Sequence, residues 1–338
     1  MANKQLFASA RALPKADTQN CEMAPAYGYG PRHKLAQLAA TGTLQDNFYS
    51  RAAAQLADVI NLVKEIDPAF VARAAVYARS KGAMKDMPAL LAAWLTVGNP
   101  DLAIRVFGRV IDSGRMLRTF VQIIRSGVVG RTSLGTRPKR LVQQWLEKAS
   151  IETLMKASVG KDPSLADIVR MVHPRPTDPA RRAFYGWLLG RPYDVAALPL
   201  EIAGFEAWKR DRSQPLPAVP FEWLTAEPLT TPQWVELVDR MGWQALRMNL
   251  NTLARHGVFQ VDGVAARVAD RLSEAEAQSR ARVMPYQLQV ALGTVDGAVP
   301  LTIQAAQEGA WIGRLPACRR FRDGWWWRPM CRGRCPRR

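Results

Sequence analysis

An all-α protein of many medium-length helices is predicted, and three observations predict it. Apolar residues recur at three- and four-residue spacing over most of residues 45–310. Helix-starting Asp-Pro and Thr-Pro pairs and helix-stopping glycines punctuate that pattern repeatedly, and alternating strand patterns are scarce. Roughly a dozen helices of about ten to fifteen residues follow, joined by short Pro/Gly turns.

In chain order, Tyr49, Ala52, Leu56, Val59, Ile60 and Val63 form a first apolar stripe. Asp67-Pro68 then sets a capping side chain before a proline at the first helical position. The same device returns at Asp162-Pro163, Asp178-Pro179 and Thr231-Pro232. Ser273 and Glu276 are spaced as a capping box, and Gly257 ends the periodic stretch 243–256. Two segments break the rhythm: 126–136, rich in Gly, Ser and Thr, and 211–220, which holds Pro215, Pro217 and Pro220. The tryptophans at 94, 145, 187, 234 and 243 lie within periodic stretches, which favours core packing over base stacking. Such a series suits a bundle or a stack of helical pairs of the HEAT kind, although no fixed sequence period stands out.

The 338 residues include 47 Lys and Arg against 29 Asp and Glu, a formal charge of +18. That excess draws a protein toward polyanions. Residues 104–175 alone carry fourteen cations and five acids, while 314–338 carry nine arginines and one acid. Most of the excess outside the tail is thus one basic band, the footprint of a phosphate-binding face. Within it Arg105, Arg109, Arg115, Arg118 and Arg125 fall at helical spacings. Arg131, Arg137, Lys139 and Arg140 then flank a loop and the start of the next helix. Pro138 belongs in the first turn of that helix, where unpaired backbone N–H groups face outward beside cations and make an anion cradle.

No apolar run is long enough to span a membrane and no secretory leader is visible, so a cytoplasmic, non-membrane protein is expected. Four cysteines and three histidines leave little room for a disulfide framework or a metal site. SGVVGRTSLG, residues 126–135, is glycine-rich but lacks the preceding strand and the GK[ST] ending of a phosphate loop. No catalytic triad can be assembled from His33, His173 and His256, so neither an enzyme nor a cofactor is expected.

Five stretches carry a resemblance. They are VYARSKGAMKDMPALLAAW (76–94), VFGRVIDSGRMLRTFVQIIRSGVVGRTSLGTRPKRLVQQWL (106–146), KDPSLADIVRMVHPRP (161–176), NLNTLARHGVF (249–259) and SRARVMPYQLQVAL (279–292). Together, in collinear order, they resemble the TROVE module of the Ro autoantigen and its bacterial relatives. The resemblance implies a HEAT-like helical solenoid closing into a ring that binds RNA without catalysis. Single-stranded ends of misfolded RNA would sit in the ring and small structured Y-like RNA on its basic outer surface, within a ribonucleoprotein for RNA quality control. An exoribonuclease reached through a bridging RNA is an implied partner. By position the resemblance assigns RNA contacts to Lys156 and Lys161, to His173 with Arg170 and Arg175 around it, and to the loop from Arg131 to Arg140. Gly160 stands where relatives often carry a further cation. Read on charge alone, the basic face suits an acidic protein partner as well, which leaves an α-helical interaction scaffold as the alternative.

The expected organisation is a flexible segment 1–20, a TROVE-like helical domain 21–310, and a basic, irregular or disordered tail 311–338. Trp325, Trp326 and Trp327 and the Arg/Cys/Pro mixture after them show no periodicity. Back-translated and shifted by two bases, residues 325–335 admit a hydrophobic strand running into D-x-S-x-S, the metal motif of the von Willebrand A-like domain that follows the ring in relatives. Translation out of frame from near residue 310, and hence a truncated chain, is the expectation.

Overall fold

The computed structural model describes residues 16–19, 23–46, 50–283 and 285–319. Among the described residues there are nineteen α-helices and one small antiparallel ribbon, β1 (Thr18–Gln19) against β2 (Pro25–Ala26), in the register Thr18 to Ala26. The all-α expectation therefore holds, with more and shorter helices than expected. The chain divides into two compact units, Met1–Glu206 and Ala207–Arg338.

The first unit contains α1 (Pro31–Thr41), α2 (Ala52–Glu65), α3 (Pro68–Ser80), α4 (Asp86–Gly98), α5 (Pro100–Val110), α6 (Gly114–Arg125), α7 (Thr136–Lys148), α8 (Ile151–Ser158), α9 (Leu165–Val172) and α10 (Pro179–Leu189). α11 (Leu200–Arg210) begins in the first unit and ends in the second. Each of the first ten helices packs on helices one to three places along the chain, as in a stack of helical pairs. α4 is apolar on nearly every face, with Met87, Leu90, Leu91 and Leu95 fully buried among α3, α5 and α6.

The second unit contains α12 (Phe221–Leu224), α13 (Thr231–Arg240), α14 (Trp243–Met248), α15 (Leu250–Arg255), a 3-10 turn (Val258–Gln260), α16 (Val264–Ser273), α17 (Ala275–Ala281), α18 (Pro285–Leu292) and α19 (Leu301–Arg319). Its core is built where α19 packs on α16 and α18, around Val264, Val268, Leu272, Leu288 and Ile303.

Two of the four expected proline starts are as read. The Asp67 carboxylate accepts from the Ala69 N–H, and Asp178 from Ala180 and Arg181. The other two are displaced. α9 starts after Ser164, whose hydroxyl and backbone exchange hydrogen bonds with Asp167, two residues beyond Asp162. α13 is capped by Thr230 with Gln233. The box expected from Ser273 and Glu276 is absent, because the Ser273 hydroxyl instead donates to the Ala269 carbonyl at the end of α16. Gly257 does stop a helix in the left-handed region, φ 69°. The stretch before it is two helices, parted at Asn249, whose side chain turns back to the Ala245 carbonyl. On α2 the buried line is Gln55, Val59 and Val63, with Ala52, Leu56 and Ile60 half-buried; Tyr49 lies outside the described residues. α19 carries helix across residue 310 to Arg319, so the first nine residues assigned to the irregular tail are helical; 320–338 lie outside the described residues.

Arginines close helix ends across the packing. Arg118 on α6 donates to the Ala157 carbonyl at 3.1 Å and to that of Val159, at the end of α8. Arg181 on α10 reaches Leu146 and Ala149 at the end of α7, at 2.6 and 2.8 Å. Arg271 on α16 reaches Val238 and, at 2.6 Å, Met241 at the end of α13. The last carbonyls of a helix lack intrahelical partners and carry the negative end of its dipole, so a guanidinium satisfies both. Part of the basic excess is therefore structural.

Candidate nucleic-acid interface

The arginines at helical spacing from Arg105 to Arg125 lie on two helices. α5 ends at Val110 and α6 starts after Ser113, whose hydroxyl accepts from the Met116 N–H, so Arg105 and Arg109 lie on a different helix from Arg115, Arg118 and Arg125. α6 buries Met116, Leu117, Phe120, Val121, Ile123 and Ile124 and turns Arg115, Arg118, Thr119, Gln122 and Arg125 outward. At 100° per residue these five fall within about 120° of arc, so the solvent face of α6 is a cationic strip. No acid interrupts it.

At its C-terminal end the strip opens into a cleft of about 560 Å³. It is lined by Arg125 of α6, the 132–135 loop, Thr136, Lys139, Arg140 and Gln143 of α7, and Met171 of α9. α7 enters the cleft from Gly135, which is left-handed at φ 64°, with no side-chain cap and no acid in its first turn. Pro138 sits in that first turn, as expected. The N-terminal end of α7, with no side-chain cap, and three cations thus lie at one concavity, beside the hydroxyl-bearing Thr132, Ser133 and Thr136.

α9 ends at this cleft. The Gln143 amide donates to the Val172 carbonyl at 2.6 Å and to that of His173 at 3.5 Å, so a residue lining the cleft also anchors the end of α9. His173 is exposed there in the left-handed region, φ 49°. The structure therefore brings Arg125 of α6 together with Lys139 and Arg140 of α7, while His173 lies next to the end of α9 outside the cleft lining.

The other expected contacts are arranged differently. Arg118 is spent on the end of α8, and burial, reinforced by the Arg115 charge, depresses its pKa. Arg131 folds back over its own loop, its Nε donating to the Ser133 carbonyl at 2.9 Å. Arg137 faces Asp101 of α5 at 3.7 Å, a loose, exposed pair. Lys156 pairs with Glu152 at 2.6 Å; that hydrogen bond and the lysine charge lower the Glu152 pKa. Arg170 pairs with Asp167 at 3.1 Å, and Asp167 is held below its usual pKa chiefly by the Ser164 hydroxyl and backbone N–H. Lys161 and Arg175 are exposed and, among the described residues, carry no ion pair.

Arg115 marks a second cationic point about 15 Å along α6 from Arg125. Lys85, just before α4, has its pKa lowered by desolvation and then by Arg115 and Arg79, against the opposing pull of Asp86. Lys85 was not legible as a site residue, although it lies in one of the stretches that carry the resemblance. Gln143 and the loop hydroxyls were missed too; only the glycine richness of that loop hinted at them.

Trp234 and Trp243 are buried as expected, and Trp94, Trp145 and Trp187 are half-buried. Among the described residues no helix is long and apolar enough to cross a membrane, and no group of His, Cys, Asp or Glu could hold a metal ion.

No protein-family model matches the sequence, and no curated protein does either. The structure is similar to the crystal structure of the Deinococcus radiodurans RO (RSR) protein, with a TM-score of 0.58 at 21% identity over 84% of this chain. The chain spans 63% of the length of that protein. The helical fold built here from caps, stripes and arginine clamps is the one it shares with the RO (RSR) protein.

Proposed function

We propose that this chain is a Ro-like RNA-binding protein of the TROVE kind that acts without catalysis. The observation that carries the reading is the cleft: Arg125, Lys139 and Arg140 line it without an ion pair among the described residues, beside the uncapped start of α7. Cations gathered at a concavity beside a helix N-terminus form the electrostatic footprint that a phosphate backbone matches, because each phosphate contact releases condensed counterions. Phosphate contacts of this kind position a strand and read shape, with little base identity. Small structured Y-like RNA and single-stranded ends of misfolded RNA are the substrates we assign, in cytoplasmic RNA quality control, with an exoribonuclease reached through the bound RNA.

The test is a titration of the full chain with a structured RNA carrying a single-stranded end, beside polyglutamate of equal charge. Preference for the RNA with strong salt dependence is the expected result. Equal binding of both polymers would favour the scaffold for an acidic protein partner.

A further inference from the structure

The segment YGYGPRHK, residues 27–34, leaves β2, enters α1 and lies outside the cleft. The rings of Tyr27 and Tyr29 are stacked, with centroids 5.9 Å and planes 19° apart, and the His33 ring follows 5.8 Å from Tyr29. Tyr27 and Tyr29 remain 40% and 43% exposed, and His33 and Lys34 are exposed as well. Aromatic rings stabilise a fold by being buried, so three in succession at the surface are not explained by packing.

Their arrangement is held by a turn. The Gly28 N–H donates to the Asp17 carboxylate at 2.5 Å and the Tyr29 N–H to the Tyr27 carbonyl at 3.0 Å, a tight turn that sets the two tyrosines side by side. Arg32 is exposed at the start of α1, its guanidinium 5.8 Å from the Phe70 ring centroid of α3. The Asp17 carboxylate touches the segment, with one oxygen accepting from the Gly28 N–H. A stacked tyrosine pair with the His33 ring tilted at 41° beside it, flanked by Arg32 and Lys34, has the two parts that sequence-tolerant recognition of single strands requires, π faces for bases and cations for phosphates.

We propose that Tyr27, Tyr29 and His33 form a stacking platform for the bases of single-stranded RNA, with Lys34 and Arg32 meeting its phosphates. This rests on the RNA-binding reading of the cleft and names the part of the RNA taken elsewhere on the same unit: unpaired bases, of any identity.

Fluorescence anisotropy with two labelled oligonucleotides tests it, a ten-residue uridine RNA and an abasic ribose-phosphate chain of the same length. The full chain is expected to prefer the base-bearing strand tenfold or more. Tyr27→Ala with Tyr29→Ala removes the preference, Tyr27→Phe with Tyr29→Phe keeps it, and Arg125→Ala with Lys139→Ala and Arg140→Ala weakens both oligonucleotides while preserving it. Should the alanine pair fail to fold, Tyr27→Leu with Tyr29→Leu retains apolar bulk without a π face and loses the same preference. A preference absent from the wild type, or surviving the tyrosine truncations, overturns the platform and leaves the cleft standing. Unchanged affinity in the triple cleft variant overturns the cleft instead, and binding of neither oligonucleotide overturns both.

Discussion

The Arg118 guanidinium occupies the place where a side chain on Gly160 would begin: a Cβ there would lie 2.4 Å from Nη1 and 2.6 Å from Cζ. Gly160 also sits at φ 113°, a region that L side chains rarely adopt. The connection between α8 and α9 thus has room only for glycine at this position, because the arginine that closes α8 lies against it.

Gly160→Ala is therefore expected to destabilise by about 2–4 kcal/mol, from backbone strain together with displaced hydrogen bonds. Gly190→Ala, at φ 64° with nothing within 4 Å of the added carbon, should cost only about 1 kcal/mol. Chemical denaturation of both variants checks the contrast; equal losses would remove the role of Arg118.

Arg118 and Arg125 are seven residues apart on one face of α6 but should respond oppositely. Arg118→Ala leaves the carbonyls of Ala157 and Val159 without their donor and is expected to cost about 1.5–3 kcal/mol of stability. Arg125→Ala should leave the melting temperature unchanged and weaken RNA binding. The paired measurements are thermal melting and RNA affinity for each variant.

Tyr185 is buried with its hydroxyl donating to the Leu146 carbonyl at 3.0 Å, and burial pushes its pKa from 10.0 to about 12 despite the Arg181 charge nearby. Because the folded state holds the proton more tightly, this contribution is fully present below pH 10 and lost as pH rises from about 10 through about 12. Its size is about 2–3 kcal/mol. Tyr185→Phe should flatten that part of the alkaline stability profile; a profile unchanged by the substitution contradicts the assignment.

Leu141 and Trp145 lie one turn apart on α7 with different weights. Leu141 is buried, so Leu141→Ala should cost about 2–5 kcal/mol. Trp145 is half-buried, and its indole N–H donates to the Ile111 carbonyl at 2.9 Å, just past the end of α5. Trp145→Phe should cost about 1 kcal/mol, mostly that bond. Denaturant midpoints measure both.

The helical class was legible because capping chemistry and apolar spacing are local. Asp67 and Asp178 announce α3 and α10 within three residues of sequence. Breaks of one to three residues, at Ile111–Ser113 and at Asn249, were not legible, since apolar spacing continues in phase across them. Asp162 misled because Ser164, two residues further on, and Asp167, three beyond that, offer both halves of a capping box, where Asp162 offers one. The cleft was legible as charge on the 131–140 loop and the start of α7. Which cations stay unpaired was not: Arg118 and Arg125 share a periodicity, and only the neighbouring end of α8 separates them. The aromatic cluster at Tyr27 was missed because exposure, which distinguishes it from core, depends on the turn pinned by Asp17.

The account is tested most directly by the salt dependence of RNA affinity in the wild type and in the variant Arg125→Ala, Lys139→Ala, Arg140→Ala. Each phosphate contact on a single strand contributes about 0.7 to the slope of log affinity against log salt. Three lost contacts should lower that slope by about 2, with the fold intact by circular dichroism. An unchanged slope and affinity in the folded variant would contradict the claim that this cleft meets the RNA backbone.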